Sequence, residues 1–281
     1  MKNVISFMGA NYVAREVRWH MPDGWMQGQN AVRAWFSPAE TFPERFDAML
    51  QAVKELGFDA FDIWDAQLHW SWATERHLEA ARDLLGRRGL AVPSLAGHFG
   101  ATAEELRSAC RVARAVGASI LSGGTPLLTE GRSGLVSEMR AQGLKLAVEN
   151  HAEKTPEELL GRLGKGDEDV VGAAVDTGWF GTQGCDAARA LERIAPRLFH
   201  VHLKDVKARR PEKTGFQLID MGHETCRLGA GIVPVAGCVN ALGRCGYAGP
   251  IAIEHEPEDF DPSDDCRASL LYLRQLVGKR P

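Results

Sequence analysis

Two periodicities alternate along the chain. Short runs of apolar or β-branched residues occupy 3–7, 58–64, 90–95, 118–123, 144–150, 171–177, 198–205 and 250–256. Their side chains alternate between two faces, as strands require. Between them, apolar residues recur every three or four positions. Over 41–57 the stripe is Phe46, Met49, Leu50, Val53 and Leu56, with Thr41 placed to cap the helix and Gly57 to stop it. Segments 74–89, 102–117 and 155–164 repeat the scheme of threonine at the front and glycine at the back. Segments 235–246 and 262–278 supply two more helices, and 127–143 a weaker one interrupted by glycines. From the third run to the seventh, starts lie 26 to 28 residues apart, the length of one strand-helix unit. Eight such units in series predict a (β/α)8 TIM barrel, a single domain over 1–281. A doubly wound sheet would favour a GxGxxG turn after the first strand, and none is present.

In a barrel both faces of every strand are covered, so a strand with polar residues on one face presents them to the interior. The run "FHVHLKD" puts Phe199, Val201 and Leu203 on one face and His200, His202 and Lys204 on the other. Barrel sites lie at the C-terminal strand ends. The last inward residues there are Glu149, Asp176, His202 and Glu254, from four adjacent strands of the expected barrel. A single acid at a strand end is ordinarily a helix cap or solvated. Three carboxylates crowded with an imidazole, however, repel one another until protons or a cation compensate. This set is expected to hold one divalent metal ion, and its oxygen-rich donors suit Mn²⁺, Mg²⁺, Co²⁺ or Fe²⁺ better than structural zinc, with Zn²⁺ also admissible. His200, one layer deeper, reads as a hydrogen-bonded core histidine. Lys204, higher up, is placed to reach a substrate, and Asp205 to orient a neighbour or cap the next turn.

Composition narrows the partners. A formal net charge of -4 and a pI near 6.2 oppose nonspecific attraction to nucleic acid or anionic membrane. The six cysteines show no paired spacing, and no run approaches a membrane span. A cytoplasmic protein is expected, with a homo-oligomer compatible. Residues 8–41 form a long first loop over the catalytic face. All seven tryptophans fall at that end of the chain's topology, which suggests a lid over a sugar. Trp25, Trp64, Trp179, His98 and Lys204 are the expected substrate-binding residues. Gly229–Gly231 offers backbone N–H groups to a phosphate.

The segments "AVEN", "AAVDTGWF", "HVHLKD" and "LGAGIVPVAGCVNALGRCGYAGPIAIEHEP" resemble the later half of the sugar phosphate isomerase/epimerase superfamily, whose members have a xylose isomerase-like barrel. The likeness extends more weakly over the whole chain. It implies that Glu149, Asp176, His202 and Glu254 bind one metal, often manganese, and that Glu149 and Glu254 flank the substrate carbon as acid/base groups. Trp179 departs from the histidine many relatives carry there, and only Arg209 or Arg210 is a candidate for the epimerases' substrate arginine. The implied activity is a metal-dependent sugar isomerase or epimerase acting next to the carbonyl of a keto-sugar. The alternative is a lyase or dehydratase performing β-elimination on a keto-sugar, keto-glycoside or inosose. An endonuclease IV-like repair enzyme, for which His69 and His98 would be further ligands, and a non-catalytic sugar-binding barrel are the remaining readings.

Overall fold

The computed structural model describes residues 3–211 and 221–278. Its parallel strands are β1 (Ile5–Met8), β2 (Phe61–Trp64), β3 (Ser94–His98), β4 (Ile120–Gly124), β5 (Lys145–Glu149), β6 (Val171–Asp176) and β7 (Leu198–Ala208). The eighth, β9 (Ile251–Glu254), follows a short strand β8 (His223–Cys226). Strands β1 to β6 pair in order, β6 pairs with β7, β7 with β9, and β9 with β1. That ring is a closed (β/α)8 barrel. Strand β8 lies outside it, antiparallel to the end of β7, with Asp205 opposite Cys226 and Ala208 opposite His223.

Alternation decides what fills each side. Phe7, Phe61, Ile63, Leu95, Leu121, Leu146, Val148, Val201, Leu203, Ile251 and Ile253 are fully buried in the main hydrophobic core. Removing each from water contributes about 1.5–3 kcal/mol. They meet helices α2 (Phe42–Glu55), α3 (Glu75–Arg88), α4 (Ala103–Ala115) and their successors, whose inward stripes include Phe46, Leu50, Val53, Leu78 and Leu106. The alternate strand positions are small or polar: Ser6, Asp62, Ser94, Ser122, Ala147, Ala174, His200 and Ala252. His200 is satisfied there, with Nε2 2.6 Å from Asp62 Oδ2 and Nδ1 3.2 Å from the Pro250 carbonyl.

Several boundaries differ from the sequence pattern. The third strand, expected at 90–95, begins at Ser94 because Pro93 has no N–H for the ladder; Ala91 makes only an isolated bridge to Ala60. The shift carries His98 to the strand end. Residues 8–41 are not a loop: they contain 3-10 turns at Gly9–Tyr12 and Arg15–Val17 and the helix α1 (Trp25–Phe36). The polar Gln and Asn of α1 masked its period, and Gly28 lets it close on the chain, since a Cβ there would stand 2.6 Å from the Val13 carbonyl oxygen. Arg18 and Trp19 turn the chain before α1 with φ of 54° and 58°. Thr41 occupies the cap position of α2, yet its side chain makes no capping bond.

The weak helix after β4 divides at Gly131 into α5 (Leu127–Glu130) and α6 (Arg132–Gln142). After α7 (Pro156–Leu163), glycines had hidden α8 (Thr177–Thr182), which precedes α9 (Ala187–Ile194). The final pair, α10 (Val235–Arg244) and α11 (Ser263–Gly278), follow the expected spacing. Among the described residues no helix is long and apolar enough to cross a membrane.

Candidate active site

Strand register assembles the site. Glu149 ends β5, Asp176 ends β6 and Glu254 ends β9, while His202 lies within β7 opposite Asp176. One donor atom from each of the four lies within 4.8 Å of the others. His202 Nδ1 is 2.6 Å from Glu149 Oε1 and 3.0 Å from Glu254 Oε2; Nε2 is 3.0 Å from Ser122 Oγ. Asp176 is held on two sides. Its Oδ1 accepts the Gly178 and Trp179 N–H groups at the start of α8, and the Asn150 side chain brackets its backbone N–H and carbonyl. Lys204 Nζ sits 2.9 Å from Asp176 Oδ2, 3.2 Å from Glu254 Oε1 and 2.9 Å from Glu256 Oε2.

At 4.8 Å and an effective dielectric of 20, each pair of carboxylates repels by about 3.5 kcal/mol, so the fold must supply positive charge. Burial raises the Asp176 carboxyl to about 6, helped by Glu254 and Glu149 and opposed by the Lys204 ammonium. Burial alone would also raise Glu254 and Glu149. For Glu254, Lys204 and His202 reverse the sign; for Glu149, His202 and His151 do. Glu256 stays raised, because burial and Glu254 outweigh Lys204. Burial would lower Lys204 and His202, yet the surrounding carboxylates hold both well above their usual values.

The donor set suits a divalent ion. Buried Asp176 Oδ2 and Glu254 Oε2 accept no aligned hydrogen bond, although Lys204 and His202 approach them within 3.0 Å. Proximity without alignment leaves two buried acceptors unsatisfied, which three carboxylates and one imidazole around a cation would resolve.

A cavity of about 150 Å³, open to solvent, stands over these residues, and Trp25, Trp64, His98, Trp179 and Lys204 all line it. The other four tryptophans are elsewhere. Trp35 lies under the Arg45 guanidinium at 3.8 Å and Trp70 donates to the His98 carbonyl, so the expected tryptophan lid reduces to three residues. His69 hydrogen-bonds Ser71 and stacks on Trp70. Two further expectations fail on contact. The Gly229 and Gly231 N–H groups both donate to Asp205 Oδ2, which leaves them nothing for a phosphate; Asp205 also accepts from Val206 and Val233 and thereby organises the turn, as its position suggested. Arg210 is paired with Glu224 and Asp259 and does not line the cavity.

Sequence reasoning overlooked five residues. His151 and Glu256 lie two positions beyond Glu149 and Glu254, and Ser122 lies on the inward face of β4; continuing the alternation by one step would have found all three. Asp65, just past β2, and Arg162, on α7, carried no such signal. All except Ser122 line the cavity. The His151 ring is 3.6 Å from Glu149 Oε2 through Nε2 and rests against Trp179.

Residues 50–276 match the family model described as xylose isomerase-like TIM barrel. The chain belongs to that family. The inosose dehydratase of Clostridium beijerinckii is 28% identical to it over 165 residues, 54% of either chain. The chain thus spans about half the length of the curated relatives it matches. Among solved structures, a xylose isomerase-like TIM barrel protein from Mycobacterium smegmatis in complex with magnesium covers 99% of this chain and 98% of its own, with a TM-score of 0.70 at 19% identity. The probable 3-DHS dehydratase AsbF from Bacillus anthracis covers 82% of this chain and 93% of its own, with a TM-score of 0.60 at 16% identity.

Proposed function

We propose that the protein is a divalent-metal-dependent lyase that removes water from a keto-polyol or related sugar derivative. The observation that carries this reading is the convergence of Glu149, Asp176, His202 and Glu254 beneath a cavity that also holds the half-exposed imidazole of His151. Glu149, Asp176, His202 and Glu254 would hold the ion, Mn²⁺ or Mg²⁺ by their oxygen-rich character. When bound, the ion supplies Lewis-acid polarisation of a substrate carbonyl. The protein supplies proton transfer and shape. Glu254 takes the proton from the carbon next to the carbonyl, the pair of electrons forms a C=C bond to the β-carbon, and the β-hydroxyl leaves as water on receiving a proton from His151. Glu149, under His151, orients that imidazole. Trp25, Trp64 and Trp179 pack the sugar's C–H faces and exclude bulk water.

An isomerase or epimerase would share the first proton transfer and differ in returning the proton to carbon. The lyase reading is favoured because His151 provides an acid separate from the carboxylates, and because the curated relatives matched are named inosose dehydratases. The test is incubation of the Mn²⁺-loaded protein with an inosose and a panel of ketoses in D₂O, followed by NMR. Loss of water from a panel member, abolished by EDTA, is expected. Deuterium uptake with no water lost would make it an isomerase or epimerase, and neither change with any member would remove the proposed chemistry.

A further inference from the structure

Beside the ion-binding cluster the wall of the cavity is built differently. Strand β3 ends in Gly97 and His98, and β4 ends in Gly123 and Gly124. Gly123 has φ of +142°, and a Cβ there would lie 2.0 Å from the Gly97 carbonyl oxygen, so no side chain can be placed at that point. Gly124 follows as bare backbone facing the cavity. Two cation-capable side chains flank it: from the position a Gly124 Cβ would occupy, His98 Nδ1 is 3.7 Å away and Arg162 Nη2 is 3.8 Å away.

Arg162 is not a freely moving surface arginine. Its Nη1 is pinned by the Glu149 carbonyl oxygen at 3.1 Å and by Glu153 Oε1 at 2.8 Å. Glu153 is itself fixed by the His151 N–H. The guanidinium is therefore held by one edge. Among the described residues Nη2 and the His98 ring have no hydrogen-bond partner, although the His98 backbone is anchored through Asp65 and Trp70. A preoriented guanidinium edge and an imidazole over a side-chain-free glycine floor are the components of an oxyanion-binding subsite. Glu153 offsets part of the charge of Arg162 but leaves the unbound edge as a directed donor.

We infer that Arg162 and His98, across Gly124, form a subsite for an anionic substituent, a carboxylate or a phosphate ester, on the substrate. This rests on the lyase reading for what happens at the ion and narrows its substrate class: a keto-polyol bearing an acid group in place of an uncharged inosose. Arg162 is assigned as a specificity-determining residue.

The test uses two matched pairs of probes that differ by one anionic group, methyl quinate against quinate and D-ribulose against D-ribulose 5-phosphate. Dissociation constants are measured by calorimetry on the full chain, both Mn²⁺-loaded and EDTA-treated. The Mn²⁺ dissociation constant is determined on the same samples. In at least one pair the anionic probe binds tighter by about tenfold or more, the size of one charge-assisted hydrogen bond. The pair that responds identifies carboxylate or phosphate. Arg162→Gln reduces the preference to within about twofold while leaving Mn²⁺ binding and the uncharged probe's affinity in place, and Arg162→Lys falls between, because it keeps charge but loses the planar edge. Equal binding within both pairs, no binding of either anionic probe, or a preference that survives in Arg162→Gln overturns the assignment. Retained anion preference in a protein that eliminates no water from any ketose would instead remove the lyase reading and leave the subsite standing.

Discussion

The two halves of the barrel mouth are built by different rules. From β5 round to β9, the four converging residues and Lys204 are strand residues, and their height and direction follow from the ladder: Asp176 faces His202 and Lys204 faces Glu254 by register alone. From β1 to β3, strand residues such as Trp64 share the lining with Trp25 of α1 and with Asp65, which depend on a helix folded over the face and on the turn after β2. Register fixes the first half. The other half is a packing solution, held by contacts such as Trp25 on Trp64 at 5.6 Å and Arg33 3.6 Å from Asp65. Chemistry that needs a fixed constellation belongs on the first, and selectivity that varies with substrate shape on the second.

The largest expected effect comes from breaking the first half. Glu254→Gln keeps the shape but removes the carboxylate proposed to take the proton, so turnover should fall by at least about a hundredfold. Steady-state kinetics on whichever ketose responds checks this. Turnover within a few-fold of wild type would strip Glu254 of its acid/base role.

The same division explains what could be read before the fold was known. Glu149, Asp176, His202 and Glu254 were legible because a period of two and a spacing of one strand-helix unit determine both face and height. Lys204 was put on the inward face by the same rule, together with its partners Asp176 and Glu254, but its third partner, Glu256, had not been counted there. Helix α1 was missed because its buried side, Gly28, Val32 and Phe36, is narrow and begins with a glycine that matters for its close approach, not for its propensity. Arg162 was invisible for a different reason. It reaches the cavity from a helix, and nothing in "TPEELLGRLG" says which way a long side chain turns back over the strand that precedes it.

A smaller effect would sharpen how the first half is supported. For His202 to offer its Nδ1 lone pair between Glu149 and Glu254, its proton must sit on Nε2 and be donated to Ser122 Oγ, 3.0 Å away. Ser122→Ala removes that acceptor from a fully buried site. Affinity for Mn²⁺, measured by calorimetry, should weaken by about tenfold to a hundredfold. Unchanged affinity would show that the tautomer is set elsewhere.

The second half should respond in the opposite sense. Trp25→Ala removes one face of the cavity without touching any of the four converging residues, and the ring pair it breaks corresponds to roughly a three- to tenfold change in KM. Mn²⁺ affinity should stay at the wild-type value. A loss of metal binding in this variant would mean that α1 supports the ion site and that the two halves are not separable.

The smallest effect tests whether the shell behind that second half matters to the mouth at all. Arg88 of α3 grips Asp47 of α2 with two bonds, Nε to Oδ1 at 2.8 Å and Nη2 to Oδ2 at 2.6 Å. These bonds outweigh partial burial and hold the Asp47 carboxyl below its usual value. A depressed folded-state pKa gives stability that is present above the unfolded carboxylate pKa of about 3.9 and is lost as pH falls through the lower folded value. Both side chains are about one-third exposed, 30% and 35%, so solvent screening leaves the pair a small contribution. Urea unfolding of Asp47→Asn should therefore fall slightly short of wild type at pH 7, with the two curves converging as the carboxyl protonates in acid. Probe and Mn²⁺ affinities should not move. A gap that widened towards acid would reverse the sign assigned to Asp47, and a shift in probe affinity would show that the α2–α3 contact reaches through β2 and β3 to the cavity it backs.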